Sequence, residues 1–266
     1  FGVIGLGRMA QALVVPLLES GRVRADQLLA VVGGSGSLEQ RREALPAGIA
    51  LVAADDPSAQ QVWTAPVQLL AVKPQQLDAV AAAAGSVTGQ PLLISVLAGV
   101  SLARLQRLFP GHRCVRAVPN TPALVGAGLT ALAWGEGIEL KQRDQVRQLF
   151  ADVGEVLELA EAKLDAFLAL TSSGPAFVAL VAEAMADGAV AAGLPRDLAL
   201  RLSHRTLAGT AELLDLRDLH PAQLKDMVTS PGGTTIAGVR ALERIGLRSA
   251  LIEAVVSAAE RSRELA

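Results

Sequence analysis

The chain has 266 residues, 51% of them apolar, with 24 basic and 26 acidic side chains and a formal net charge of −2, which is enough for one large or two ordinary domains. Near-neutral charge without a basic run excludes the electrostatic footprint of a nucleic-acid binder. A single cysteine, Cys114, excludes an internal disulfide and a cysteine-rich zinc site, the three scattered histidines exclude a helix-borne metal pair, and the absence of tyrosine excludes any mechanism that needs a phenolic acid. No metal is expected, and a lone thiol fits a reducing, cytoplasmic compartment.

The N-terminal stretch Phe1-Gly2-Val3-Ile4-Gly5 lacks the basic and hydrophobic regions of a signal peptide and reads as the start of a strand, Gly2–Leu6. Residue 1 is not Met, so a few residues are expected to precede it. The strand runs into Gly5-Leu6-Gly7-Arg8-Met9-Ala10 and a helix over Met9–Ser20. Glycine at the first two motif positions allows a tight turn and close approach of a pyrophosphate, and the small Ala10 lets helix pack on strand. Gly5, Leu6, Gly7, Arg8 and Met9 are therefore candidate cofactor contacts, with the pyrophosphate on the helix N-terminus. The same residues also fit an ordinary glycine-rich β-α turn.

A second strand, Leu28–Val32, ends in Val32-Gly33-Gly34-Ser35-Gly36-Ser37 and leads to a helix over Leu38–Leu45. NAD enzymes commonly place an acid at this strand end to bind the ribose 2′-hydroxyl. Here the first acid is Glu39, and Arg41 and Arg42 follow. Gly34 and Ser35 leave room for a 2′-phosphate, so NADPH is expected, with NADH as the alternative. Further strands are expected at Val67–Val72, Leu92–Val96 and Cys114–Val118, with helices at Gln75–Ala84 and Ser101–Leu108. Strands separated by helices in this way indicate βαβ units and a parallel sheet. Two of these strands close with Ala71-Val72-Lys73-Pro74 and with Val118-Pro119-Asn120-Thr121-Pro122, at carboxyl ends where open α/β sheets bind ligands. Ala71, Val72, Lys73, Pro74 and Asn120 are candidates for the nicotinamide side. Lys73 reads equally as a solvated charge and Asn120 as a turn residue. Leu129–Trp134 and Val156–Leu159 extend the sheet at one edge.

After Leu159 the pattern becomes helical throughout: Glu161–Ser172, Ala176–Ala192, Arg196–Leu216, Pro221–Thr229, Thr235–Ile245 and Gly246–Glu264. The most apolar stretch, Ala176–Leu194, is interrupted by Glu183 and Asp187, so no membrane span is expected. Two Gly-Pro clusters interrupt the helices. Thr171-Ser172-Ser173-Gly174-Pro175-Ala176 places Pro175 as a natural first helical residue. Val228-Thr229-Ser230-Pro231-Gly232-Gly233-Thr234-Thr235 leaves backbone N–H groups and hydroxyls unobstructed before a helix, either to hold a small carboxylate or as a simple Ser/Thr N-cap. The architecture expected is α/β: a Rossmann-like doubly wound sheet over residues 1–159, then an all-helical domain over 160–266.

These clusters, with Pro119-Asn120-Thr121-Pro122-Ala123-Leu124 and the dinucleotide turn, resemble pyrroline-5-carboxylate reductase over essentially the whole chain. The most specific stretch is Leu224–Ala237, similar to the family's C-terminal signature; His220-Pro221 and Ala184-Met185-Ala186-Asp187 also fit. The resemblance implies NAD(P)H-dependent reduction of 1-pyrroline-5-carboxylate to L-proline, by a helical domain that interlocks into homodimers and assembles further into decamers. It implies a carboxylate held by Ser230, Gly232, Gly233 and Thr234, and a Thr235 hydroxyl that hydrogen-bonds the imine nitrogen. Two positions depart from it. Phe177 stands where the family often has Tyr after Gly-Pro-Ala, and Thr171-Ser172-Ser173 replaces the common Gly-Ser-Gly. Two other readings compete: another two-domain β-hydroxyacid or imine reductase, the hydroxyacid enzymes needing a catalytic lysine where the only one near the first long helix of the second domain is Lys163, and a dinucleotide sensor without catalysis.

Overall fold

The computed structural model describes every residue except Ser35, Ser37, Glu43, Ala44, Ala47, Ser86, Leu265 and Ala266, and the side chain of Gln40. The chain forms two compact units, Phe1–Ser172 with Ala258–Ala266, and Ser173–Ser257.

The first unit is built on an eight-stranded sheet of order β3-β2-β1-β4-β5-β6-β7-β8. Its strands are β1 (Gly2–Ile4), β2 (Leu29–Val32), β3 (Ala50–Ala53), β4 (Val67–Leu70), β5 (Leu92–Ser95), β6 (Arg113–Val118), β7 (Gly128–Trp134) and β8 (Gly154–Glu158). Strands β1 to β6 are mutually parallel; β7 runs antiparallel to β6, and β8 parallel to β7. The helices are α1 (Arg8–Glu19), α2 (Leu38–Arg42), α3 (Leu77–Ala84), α4 (Leu102–Leu108), α5 (Leu140–Ala151) and α6 (Leu164–Thr171). Successive strand residues alternate between two cores: Val3, Leu69 and Ile94 face the cluster that holds α1 and α5, while Ile4, Leu70 and Leu93 face the cluster that holds α3 and α4. Both faces are covered, and the strands accordingly read as continuous apolar runs.

Two elements were not anticipated. Strand β3 is only four residues long in an alanine-rich stretch, and α5 is a polar sequence that buries only Val146, Leu149 and Phe150, a single narrow stripe at helical spacing. Helix α2 is described only to Arg42, short of the expected Leu45.

The expected change of pattern after Leu159 differs from the structural division, because the first unit continues through α6 to Ser172. Leu164 and Ala169 are buried, and charge fixes the helix further. Arg116 of β6, itself buried, lies 3.3 Å from Glu161 Oε1 and 3.7 Å from Asp165 Oδ1. Glu161 also accepts the Leu102 N–H at the start of α4 at 2.7 Å, and Asp165 accepts the Ser262 hydroxyl at 2.7 Å. A buried guanidinium without these carboxylates would be strongly destabilising.

The second unit holds α7 (Gly174–Ala191), α8 (Arg196–Leu216), α9 (Pro221–Met227), α10 (Thr234–Arg244) and most of α11 (Leu247–Glu264). Helices α7 and α8 meet through small residues, Ala182 and Ala186 against Ala199 and Ser203, and the Ser203 hydroxyl donates to the Ala182 carbonyl at 2.7 Å. Much of the apolar surface is uncovered, including Val178, Leu180, Leu216 and Ile252. The stretch Glu161–Ala191 passes a membrane-span test by length and composition alone: its most apolar window has a mean hydropathy of 1.6 and is 17% buried. The stretch is two helices, α6 and α7, broken at Ser172–Ser173.

Candidate functional site

The exit of β1 has no room for a side chain. A Cβ on Gly5, where φ is +88°, would lie 2.8 Å from the backbone of Ala71 at the exit of β4. Gly7 stands in open space as the N-cap of α1 and contributes no capping side chain. Gln11 is bonded back to the Gly7 carbonyl at 3.0 Å, so the N–H groups of Arg8, Met9 and Ala10 precede the first intrahelical bond and are available to an anion.

A cleft of about 610 Å³ opens beside this turn. Gly5, Leu6, Gly7, Ala71, Val72 and Lys73 all line it, together with Gly33 at the exit of β2 and Arg41 from α2. Among the described residues no carboxylate lines it. Arg8 and Met9 form the first turn of α1 without lining the cleft, and Gly34 and Pro74 flank residues that do. Ser35 lies outside the described residues.

Asn120 stands apart from the cleft. It is 4% exposed, does not line the cleft, and spends both ends of its amide on backbone: Nδ2 donates to the Thr171 carbonyl at 3.0 Å, and Oδ1 accepts the Leu129 N–H at 2.8 Å. The Ser172 hydroxyl donates to the Pro119 carbonyl at 3.1 Å beside it. The amide stitches the exit of β6 to β7 and to the end of α6.

Lining residues that escaped the sequence reading include Gln60, Trp63, Gln75 and Gln76. Gln75 and Gln76 follow Pro74 directly, so the strand-exit rule could have reached them. Trp63 had no local signal, because its setting comes from remote residues. It stacks on Phe109 with ring centres 5.9 Å apart and meets the edge of His112 at 6.0 Å. Gln68 donates to the carbonyls of Trp63 and Ala65, each at 3.0 Å, which leaves its Oε1 to accept from His112 Nε2 at 3.0 Å. That fixes the imidazole tautomer, and burial lowers its pKa.

In the second unit, the stretch Ser230–Thr235 makes a turn with Gly233 N–H bonded to the Ser230 carbonyl at 3.1 Å and Gly232 at φ +69°. A Cβ on Gly233 would sit 2.5 Å from the Ser230 hydroxyl oxygen. Gly233 is the N-cap of α10 and supplies no side-chain cap, so the N–H groups of Thr234 and Thr235 remain open at the helix start. Ser230, Gly232 and Thr234 are exposed, Gly233 and Thr235 half-buried.

No group of three His, Cys, Asp or Glu side chains is placed to hold a metal among the described residues. Burial pushes the Cys114 thiol up to about 12, which keeps it protonated and unreactive at neutral pH.

Residues 161–265 match a family model described as pyrroline-5-carboxylate reductase dimerisation, and residues 1–99 one described as NADP oxidoreductase, coenzyme F420-dependent. A pyrroline-5-carboxylate reductase of Synechocystis is 48% identical over 99% of this chain and 97% of its own length. The chain belongs to the pyrroline-5-carboxylate reductase family. The pea (Pisum sativum) reductase is 41% identical over 99% of this chain and 95% of its own length. A Plasmodium falciparum pyrroline carboxylate reductase solved with NADP bound superposes with a TM-score of 0.89 at 26% identity, covering 99% of this chain and 97% of the other. The helical region that leaves its apolar faces open is the region this family uses to dimerise.

Proposed function

We propose that the chain reduces 1-pyrroline-5-carboxylate to L-proline with NADPH. The observation that carries this reading is likeness over 99% of the chain to relatives named for the reaction. The cleft fits the cofactor: the open N–H groups of α1 would hold the pyrophosphate and Arg41 a 2′-phosphate, and among the described residues no carboxylate lines it. When bound, the nicotinamide supplies the hydride. Lys73, with Ala71 and Val72, orients that end of the cofactor at the exit of β4.

The Ser230–Thr234 turn holds the substrate carboxylate on backbone N–H groups and hydroxyls, and the Thr235 hydroxyl hydrogen-bonds the imine nitrogen. A hydride to the C=N carbon and a proton to nitrogen complete the product, and holding the imine in place makes that transfer effectively unimolecular. The helical part, residues 160–266, binds substrate and builds a cytoplasmic homodimer that assembles further into decamers, without nucleic-acid or membrane partners. Lys163 lies in an exposed 3-10 turn over Glu161–Lys163, which does not suit the catalytic lysine of a hydroxyacid dehydrogenase. Oxidation of NADPH on addition of pyrroline-5-carboxylate, followed by the loss of reduced-nicotinamide absorbance, is the test. No oxidation would overturn the reading, and proline with NADP⁺ serves as the reverse control.

A further inference from the structure

Exposed large apolar side chains are not scattered over this molecule. Among the described residues, all but four lie between Ser173 and Ser257; the four in the first unit are Leu124, Val125, Leu140 and Leu170. Leu140 stands alone at the start of α5. Leu124 and Val125, 63% and 80% exposed, are neighbours on a 3-10 turn over Thr121–Val125. This turn is rigid. Ala123 is completely buried beneath the exposed pair, Gly126 closes the turn at φ +72°, Ala127 N–H bonds back to the Pro122 carbonyl at 3.1 Å, and Asn120 anchors its start. A rigid, protruding apolar pair is a feature that a solitary chain gains nothing by holding in water.

The anchor also says where the pair belongs. Asn120 Nδ2 holds the carbonyl of Thr171, the residue after Leu170, which is 63% exposed. Leu170 falls inside the family's dimerisation region, which begins at residue 161 and so within the first unit. The apolar turn is thus hydrogen-bonded to an element of the region that matches the family's dimerisation model.

We propose that Leu124 and Val125 dock against a second copy of this chain, extending the dimer interface from the helical region onto the cofactor-binding unit at the exit of β6. The inference rests on the family's dimerisation region and not on the identity of the substrate. Because β6 ends next to this turn, the contact would fix the mouth of the sheet only in the assembled molecule.

Thiol labelling reads this directly, because Cys114 is fully buried and stays protonated. Val125→Cys and, as the exposed control, Leu140→Cys would be labelled with a maleimide at a concentration where sedimentation shows the assembled protein. Each rate is normalised to its own rate in denaturant. Protection of Val125→Cys by fivefold or more over Leu140→Cys is expected, and a smaller ratio overturns the proposal. Leu124→Cys gives the same readout if Val125→Cys does not fold. A wild type that dimerises but does not oxidise NADPH with pyrroline-5-carboxylate would defeat the proposed reaction and leave this ratio standing.

Discussion

Arg41 and Thr235 are the two side chains whose removal separates cofactor from substrate. Arg41 lines the cleft where β2 ends and, among the described residues, no carboxylate does, so NADPH should be preferred over NADH. Arg41→Ala should lower kcat/KM for NADPH by about 10–100-fold, the worth of one charge-assisted hydrogen bond at roughly 1.5–3 kcal/mol, and leave NADH nearly unchanged. Steady-state kinetics with both cofactors check it, and equal losses would remove the 2′-phosphate role. Thr235 sits in the first turn of α10 with no capping side chain before it. Thr235→Ala should lower kcat by about one to two decades, from the loss of one hydrogen bond worth roughly 1–3 kcal/mol to the reacting nitrogen. The Kd for NADPH should not move. An unchanged kcat would take Thr235 out of the mechanism.

At the scale of elements, Asn120 is held by a partner that its sequence reading did not name. Its position after a strand at the carboxyl edge was visible, but Thr171, which its amide serves, lies 51 residues on, and no local pattern reports such a partner. Asn120→Ala should therefore cost stability and not cofactor affinity. Two buried backbone groups would lose their partners, at roughly 1–3 kcal/mol each. Denaturant unfolding together with an NADPH titration tests this; an intact midpoint with lost NADPH binding would restore Asn120 to the cofactor. The alternation of β-runs and helices, the glycine turn and the Ser230–Thr235 turn were legible because each is local chemistry: period, φ and capping. Strand β3 and the setting of Trp63 were not. A four-residue alanine-rich strand has hardly any period to read, and Trp63 acquires its place from Phe109 and His112, which arrive from the far side of two further strands.

At the scale of the molecule, the stretch that meets the measure of a membrane span is better accounted for by a second chain: a dimerisation region must present apolar faces before it finds its copy. Hydride transfer needs cofactor and substrate in contact, and the proposed dimer would complete each site from two subunits. Mixing Gly7→Asp subunits, whose carboxylate would repel the pyrophosphate, with Thr235→Ala subunits should then recover part of the lost activity. Activity no greater than that of the separate variants, in heterodimers confirmed by mass, would refute the shared site. The buried Arg116 cluster carries a consequence for how the protein is made. Its last member, Ser262, follows Asp165 by 97 residues, so at roughly 5–20 residues per second a ribosome delivers it about 5–20 s after Asp165. Through that interval the nascent sheet is held without its final clasp, and the cofactor-binding unit is finished only after residues 173–257 have been made.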